Sequence, residues 1–464
     1  MAITLDGTSG ITTPDVDSTA DISVNGLTVG RGAGSVATNT VVGASALLSN
    51  TTGQGNTALG LQAARSNTTA SYNVAIGYNA LYANTTGTTH VAIGTNALTS
   101  NTTGSDNTAI GRDAAQSNST GSNNVAVGRS ALNSNTTASN NTAVGYQAGY
   151  SNTTGTNSVF IGRQAGYSTT TVNAVTAVGD IAGYSNTTGQ ITAVGYAALT
   201  NNTTASANTG VGVAALRLNT TGASNTALGD SALYSNTTAS YNTAVGYQAG
   251  YTNTQGSANT FVGYTAGYSF AGSAASTYNT FLGYGAGYSV TTGTKNTIIG
   301  TYSGNQGGLD IRTSSNNIVL SDGDGNPRLY DRNGSTYSPS IYNVATSGGS
   351  TVSIGASHLL FRNTSSLRYK KNVVDTSRGL SDVMKLRAVQ YESKSAHEEG
   401  RIFGGLIAEE LHDSGLTEFV EYNSEGQPDA VHYANMVSLA FKAIQELKAE
   451  LDTVKAELAT LKGN

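Results

Sequence analysis

The sequence predicts a mainly β, elongated rod: a parallel β-roll or solenoid of about 17-residue repeats, followed by a differently composed C-terminal domain ending in a coiled-coil helix. Three observations carry this. Sixteen glycines from Gly43 to Gly300 close short apolar segments and nearly always lie seventeen residues apart. A seven-residue apolar pattern runs without error through the last thirty residues. Charge is thin in between: ten charged residues separate Gly43 from Ser303, whereas residues 365–464 hold twenty-eight. A fixed period of this size marks a fold built by stacking one small unit, not by closing one globular core.

Each repeat element has a reason. A β-prone tetrapeptide ends in Val, Ile or Leu before the glycine, as in Val74-Ala75-Ile76-Gly77, and its alternation is expected to send one branched side chain inward. The glycine supplies a backbone shape or close approach that a Cβ blocks. An Ala follows three residues later in fifteen of the sixteen units, from Ala46 to Ala286, with Ser303 in the last; a small residue suits a crowded interior. An Asn-Thr-Thr turn then follows, as in Asn84-Thr85-Thr86, and such residues form tight turns and hydrogen-bonded ladders between stacked copies. No Pro lies between residues 15 and 326, as expected where each rung donates to the next. Six units carry Gly-Tyr after the Ala, from Gly149-Tyr150 to Gly287-Tyr288, and most others carry Leu, so each rung is expected to need one bulky group from either register. Sixteen rungs make a rod of roughly 75 Å.

Composition narrows the function classes. Cys is absent, which removes disulfides and thiolate metal sites. The net charge of −5 has no basic stripe, so no nucleic-acid partner is expected. No apolar run is long enough for membrane insertion. The first residues lack a basic n-region and an apolar h-region, so synthesis in a cytoplasm is expected. The five histidines (His90, His358, His397, His412, His432) do not cluster, and Gly30-Arg31-Gly32-Ala33-Gly34 lacks the βαβ context of a dinucleotide loop. No cofactor is expected. Surface tyrosines such as Tyr78, Tyr146 and Tyr196 suit packing between chains or stacking on sugars. Asp106, Asp113, Asp180 and Asp230 are too sparse for glycoside hydrolysis.

The stretch Asn73-Val74-Ala75-Ile76-Gly77 with Ala80 is similar to the head repeats of trimeric autotransporter adhesins. That resemblance, over residues 25–303, implies a left-handed parallel β-roll in a trimer. The Asn-Thr-Thr turn makes the unit longer than that family's, which leaves a triple β-spiral as the alternative cross-section.

Residues 304–364 break the period and read as a connector. Ser315–Ser321 reads as a strand and Asp322-Gly323-Asp324-Gly325-Asn326 as a turn. Asp322 and Asp324 are weak metal candidates: they match the opening of a calcium loop, but Asn333 stands where its bidentate Glu belongs.

Residues 365–464 open with Ser365-Ser366-Leu367-Arg368-Tyr369-Lys370-Lys371-Asn372. This resembles the start of the self-cleaving intramolecular chaperone domain of phage tail fibres and spikes, of the endosialidase type, whose pattern is Ser-Asp-x-Arg-x-Lys with Asn two residues on. Gly405-Leu406-Ile407-Ala408-Glu409-Glu410 resembles that family's G-x-I-A-Q-E segment, and Tyr433 and the closing helix match its tail. The resemblance implies an α+β chaperone domain that trimerises the chain. It also implies single-turnover cleavage between Thr364 and Ser365, with Ser365 as nucleophile, Lys370 as base and Arg368, Asn372, Glu409 and Glu410 in support. A serine hydroxyl needs a base to take its proton, and a lysine serves when burial lowers its pKa. The sequence departs from the pattern at Ser366 and Glu409, and Ser366 with Lys371 repeats the same spacing.

The coiled coil, 434–462, follows from Val437, Ala440, Ile444, Leu447, Leu451, Val454, Leu458 and Leu461, which step three and four residues in alternation. With a short attachment segment at 1–24, these features lead us to expect a bacteriophage tail fibre carried in the virion. It would be a homotrimer, held to the tail or baseplate by its N-terminus, that binds a bacterial surface glycan or protein receptor. A bacterial trimeric surface adhesin and an ice-binding solenoid with a Thr ladder are the alternatives. No activity on external substrates is expected.

Overall fold

The computed structural model describes residues 22–24, 27–332, 335–337, 352–354, 360–362, 371–392, 402–423 and 425–463. The chain divides into two compact units, Met1–Asn343 and Val344–Asn464.

The first unit is a parallel β-solenoid. Strands of three to five residues start at Thr40–Val42 and recur through Thr57–Leu59, Val74–Ile76 and Val91–Ile93 to Thr297–Ile299 and Asn317–Ser321. Each pairs in parallel with the strand one repeat on; Val74, Ala75 and Ile76 face Val91, Ala92 and Ile93. An in-register parallel ladder within one chain is a β-roll, so the triple β-spiral is set aside. Among the described residues the ladder has seventeen strands. The last, Asn317–Ser321, pairs with Thr297–Ile299 although it belongs to the stretch read as connector. Ser321 stands there in the glycine column and the spacing stretches, which hid this rung from the glycine count.

The strand's side-chain directions reverse one expectation. The middle residue faces the interior, and it is usually Ala: Ala75, Ala92, Ala126 and Ala143 are fully buried. The branched neighbours face out, with Ile110, Val144, Ile161 and Leu228 between 37% and 47% exposed. The reason is width. The interior already holds the Ala column (Ala63, Ala80, Ala97 and onward) and a Leu from the turn, such as Leu81 or Leu98, all fully buried. In these inner rungs a second branched residue has no room, whereas the first rung buries Val41 together with Leu47.

The glycine column is steric. A Cβ on Gly94 would sit 2.6 Å from both the carbonyl carbon and oxygen of Gly111, at a φ of +131°. Stacked backbones one strand spacing apart leave no space for a methyl group there. Two buried asparagine columns hold the turns. Asn84 Nδ2 donates to Asn67 Oδ1 (3.1 Å) and to the Gly87 carbonyl (2.8 Å). In the second column each side chain accepts from the next rung's backbone: Asn73 N–H donates to Asn56 Oδ1 (3.0 Å).

The Leu and Gly-Tyr units differ in a way the sequence reading did not anticipate. Tyr does not supply the interior bulk. Where Gly149 and Gly166 replace Leu, the strand centre is Phe160, whose ring would meet a Cβ on these glycines at 2.6 and 2.2 Å. Phe261 and Phe281 do the same beside Gly250, Gly267 and Gly287. The tyrosines stand on the outside.

In the second unit, the hairpin Val389–Glu392 with Ile402–Gly405 leads to the helix Ala408–Asp413. A second hairpin, Val420–Tyr422 with Pro428–Val431, leads to the long helix Tyr433–Lys462. Leu411, Leu416, Phe419, Val420 and Leu439 form a small core. The long helix packs on its own domain through Leu439 and Ala443. Its heptad stripe is a different face: Val437, Ile444, Leu447, Leu451, Val454, Leu458 and Leu461 are all exposed. No described helix is long and apolar enough to cross a membrane.

Candidate functional site

Four of the residues expected to carry self-cleavage, Thr364, Ser365, Arg368 and Lys370, lie outside the described residues. The other supporting residues are placed. Asn372 is exposed, with a φ of +55°. Glu409 and Glu410 form the first turn of the helix Ala408–Asp413, where carboxylates complement the helix dipole. Glu409 is exposed. Glu410 pairs with Arg387, and the guanidinium hydrogen bonds hold its carboxyl below the ordinary glutamate value. The quoted segment Gly405–Glu410 meets the start of the long helix through Tyr433, whose Oη accepts the Leu406 N–H at 2.7 Å. The two motifs singled out from the sequence are therefore joined at the protein surface, at the point where the hairpin hands over to the helix.

The acidic turn of the first unit is self-contained. Asp322 accepts from the N–H groups of Asp324 (3.0 Å) and Asn326 (2.9 Å) and pairs with Arg328 (2.6 Å). These contacts, the Asn326 backbone bond foremost, lower its carboxyl below the ordinary value. Among the described residues no group of three His, Cys, Asp or Glu is placed to hold a metal ion.

The solenoid offers two surfaces. The first is the outer face of the strand ladder. Every outward strand position from Thr40 to Leu320 is Thr, Val, Ile or Leu, with no charge. Seventeen strands of about 10 Å each give a stripe of roughly 800 Å². The second is aromatic. Tyr150, Tyr167 and Tyr184 stack at 5.1 and 5.0 Å, and Tyr234, Tyr251, Tyr268 and Tyr288 stack at 5.1–5.2 Å. Beside the latter, Tyr247, Tyr264 and Tyr284 form a parallel column at 5.2 and 5.1 Å. Sequence reasoning named Tyr78, Tyr146 and Tyr196 and missed these columns. Their signal was recurrence of Tyr at the repeat period, as in Tyr234, Tyr251 and Tyr268.

No protein family, curated protein or solved structure matches the chain.

Proposed function

We propose that the chain is a bacteriophage tail-fibre or appendage protein that works as a homotrimer. Residues 1–24 attach it to the tail or baseplate, and the solenoid reaches a glycan or protein receptor on the bacterial surface. Such a protein is made in the host cytoplasm and carried in the virion. Residues 365–464 act as an intramolecular chaperone that gathers three chains through the coiled coil.

One observation carries the reading: each unit presents a long face that its own fold does not cover, an uncharged strand face in the first and an apolar heptad stripe in the second. The uncharged strand face offers each copy roughly 800 Å², close to what one partner gives a standard interface. A long uncharged face of this size, left open by the fold, is one that further copies of the chain can cover. The exposed heptad stripe adds a second seam on a helix already packed to its own domain by the adjoining face. A trimer multiplies weak receptor contacts, which suits attachment.

Cleavage follows as the last step of assembly. Ser365 Oγ attacks the Thr364 carbonyl carbon while neutral Lys370 takes its proton. The Thr364–Ser365 peptide bond gives way to an ester on Ser365 Oγ, and the freed Ser365 nitrogen gains a proton. Water then hydrolyses the ester, leaving a Thr364 carboxylate and a fragment that begins at Ser365.

Sedimentation and intact-mass measurement test both parts. The expected result is a trimer that yields a fragment beginning at Ser365, lost in Ser365→Ala and Lys370→Ala. A monomer at micromolar concentration overturns the assembly. An intact chain after long incubation overturns cleavage alone.

A further inference from the structure

We propose that the cleft where the two tyrosine columns end binds a neutral pyranose unit of a surface glycan. This rests on the attachment reading above and names its contact point. The columns Tyr247–Tyr264–Tyr284 and Tyr251–Tyr268–Tyr288 run side by side and stop at the same rung. The next rung replaces both rings with small polar residues. Thr301 follows Gly300 as Tyr284 follows Gly283. Ser303, expected in the Ala column, takes the place of Tyr288 instead: Ser289 N–H donates to the Ser303 carbonyl at 2.8 Å, just as Ser269 N–H donates to the Tyr288 carbonyl at 3.0 Å, and the buried Tyr302 stands where Ala286 does, accepting from the Gly287 N–H at 2.8 Å. The last ring of each column therefore keeps a ring neighbour on one side and meets Thr301 or Ser303 on the other. Tyr284 is 66% exposed.

A cleft of about 570 Å³ opens at this step, lined by both terminal tyrosines, Thr301, Ser303, Gln306 and Asp324. Its volume suits one or two sugar rings. Gly285 belongs to its lining, and a Cβ there would meet nothing within 4 Å, so that part of the surface is bare. The chemistry is mixed in the way a sugar is mixed. A tyrosine face takes the C–H face of a pyranose, and the polar rim takes its hydroxyls. That rim is held in place. Gln306 Oε1 accepts the Ser303 N–H at 2.8 Å, and Asp324 N–H donates to Asp322 Oδ1 at 3.0 Å. The lining has one carboxylate, Asp324, and no Lys, Arg or His. An acidic sugar would face uncompensated repulsion there, and a fully apolar ligand would strip the polar rim of water without replacing its hydrogen bonds.

The test uses the full chain on an array of neutral and acidic oligosaccharides, with adsorption to a panel of bacterial cells in parallel. Two variants are compared. Tyr284→Ala removes the stacking face. Thr301→Tyr extends the column and fills the cleft, giving up the Thr301 Oγ1 bond to the Asp322 carbonyl (2.7 Å), and the melting of each variant shows that its fold is retained. The expected result is binding to a neutral oligosaccharide that weakens at least tenfold in both variants with unchanged melting. Binding of acidic sugars alone, no oligosaccharide binding by the unaltered chain, or equal binding by Thr301→Tyr overturns the proposal. Cells that adsorb the chain and both variants equally sink the cleft and leave the attachment reading standing. Adsorption to no cell, with neutral-sugar binding lost in the variants, sinks attachment and leaves the cleft.

Discussion

Thr169 is a fault in an otherwise continuous column, and repairing it should stabilise the solenoid. It occupies the position that Asn135, Asn152 and Asn186 hold in neighbouring rungs: its N–H donates to the Gly166 carbonyl as Asn152's does to Gly149, both at 3.1 Å. It is fully buried. Among the described residues neither Thr169 Oγ1 nor Asn152 Oδ1 has a hydrogen-bond partner. Elsewhere the column shows what an amide does here. Asn152 Nδ2 donates to Asn135 Oδ1 (3.1 Å) and to the Gly155 carbonyl (2.9 Å), and Asn202 Nδ2 donates to Asn186 Oδ1 (3.0 Å). In Thr169→Asn the introduced amide would reach Asn152 Oδ1 and the Val172 carbonyl and accept from Asn186. Three buried hydrogen bonds at about 1 kcal/mol each give about 3 kcal/mol. Ordering the longer side chain takes back about 1 kcal/mol. A net gain of about 2 kcal/mol is roughly thirtyfold in the unfolding equilibrium. Because each rung of a solenoid is stabilised mainly by its neighbours, the effect should be local. Amide hydrogen exchange is the assay. The expected result is slower exchange across Asn152, Thr169 and Asn186, with Thr171→Asn at the neighbouring exposed position as an unchanged control. Exchange unchanged or faster in Thr169→Asn would refute the claim that the column is an energetic element and not a by-product of turn shape.

Other consequences can be measured directly. Gly111→Ala places a Cβ 2.6 Å from the Gly128 carbonyl oxygen at a φ of +132°, so a loss of at least about 3 kcal/mol is expected, read as a fall in melting temperature. Val144→Asp, on the outward strand face, should weaken self-association at least tenfold in sedimentation while leaving the circular dichroism of the subunit unchanged. His90 replaces Asn in the second column, where its Nδ1 accepts the Asn107 N–H at 3.2 Å. Burial lowers its pKa below the ordinary value, against the opposing pull of the Gly104 backbone and the charge of Asp106. The folded state then binds fewer protons than the unfolded chain just below pH 6.5. Stability should hold above that pH and fall as pH drops through it, by at most about 1.4 kcal/mol per unit. His90→Asn should flatten that slope in denaturant titrations at pH 7 and pH 5.

The period, the glycine column and the small inner Ala were legible because each answers a constraint that repeats unchanged along the axis. What stayed hidden depended on comparing volumes. Alternation shows that Val74 and Ile76 share a face and Ala75 takes the other, but not which face is inside. That is decided by the Ala80 and Leu81 columns, which leave room for a methyl group and no more. The exchange of Leu81-type corners for Gly166-type corners reads as a choice about Tyr167 until Phe160 is seen filling the space. The strand at Asn317–Ser321 was recognised as a strand and not as a rung, because Ser321 took the glycine's place. The dyad is the opposite case: Ser365 and Lys370 were named from a motif and lie outside the described residues, so their test is chemical.

The asparagine columns also explain why the fold tolerates so thin an apolar core. A rung buries an Ala in the strand, an Ala after the glycine and one Leu or Phe, which for a conventional domain would be too little to offset ordering seventeen residues. The shortfall is made up by groups that a globular core would avoid. Most Asn of the turn column, as Asn84 does, bond both to their own turn and to the neighbouring rung, so few buried amide atoms go unsatisfied, Asn152 Oδ1 beside Thr169 being one, and an added rung satisfies the one before it. That arrangement is stable only in the middle of a stack; a terminal rung leaves one side of each column open. The ends are where the pattern changes. The hairpin Ile22–Val24 with Leu27–Gly30 leads into the first rung, and toward the other end the turn column passes from Asn253 to the apolar Phe270, Val290 and Ile311, all fully buried. The chain thus replaces amides that need a neighbour with side chains that do not, and in the same stretch it ends the tyrosine columns and opens the cleft beside Tyr284. Capping the stack and shaping a binding surface are, on this view, one structural event.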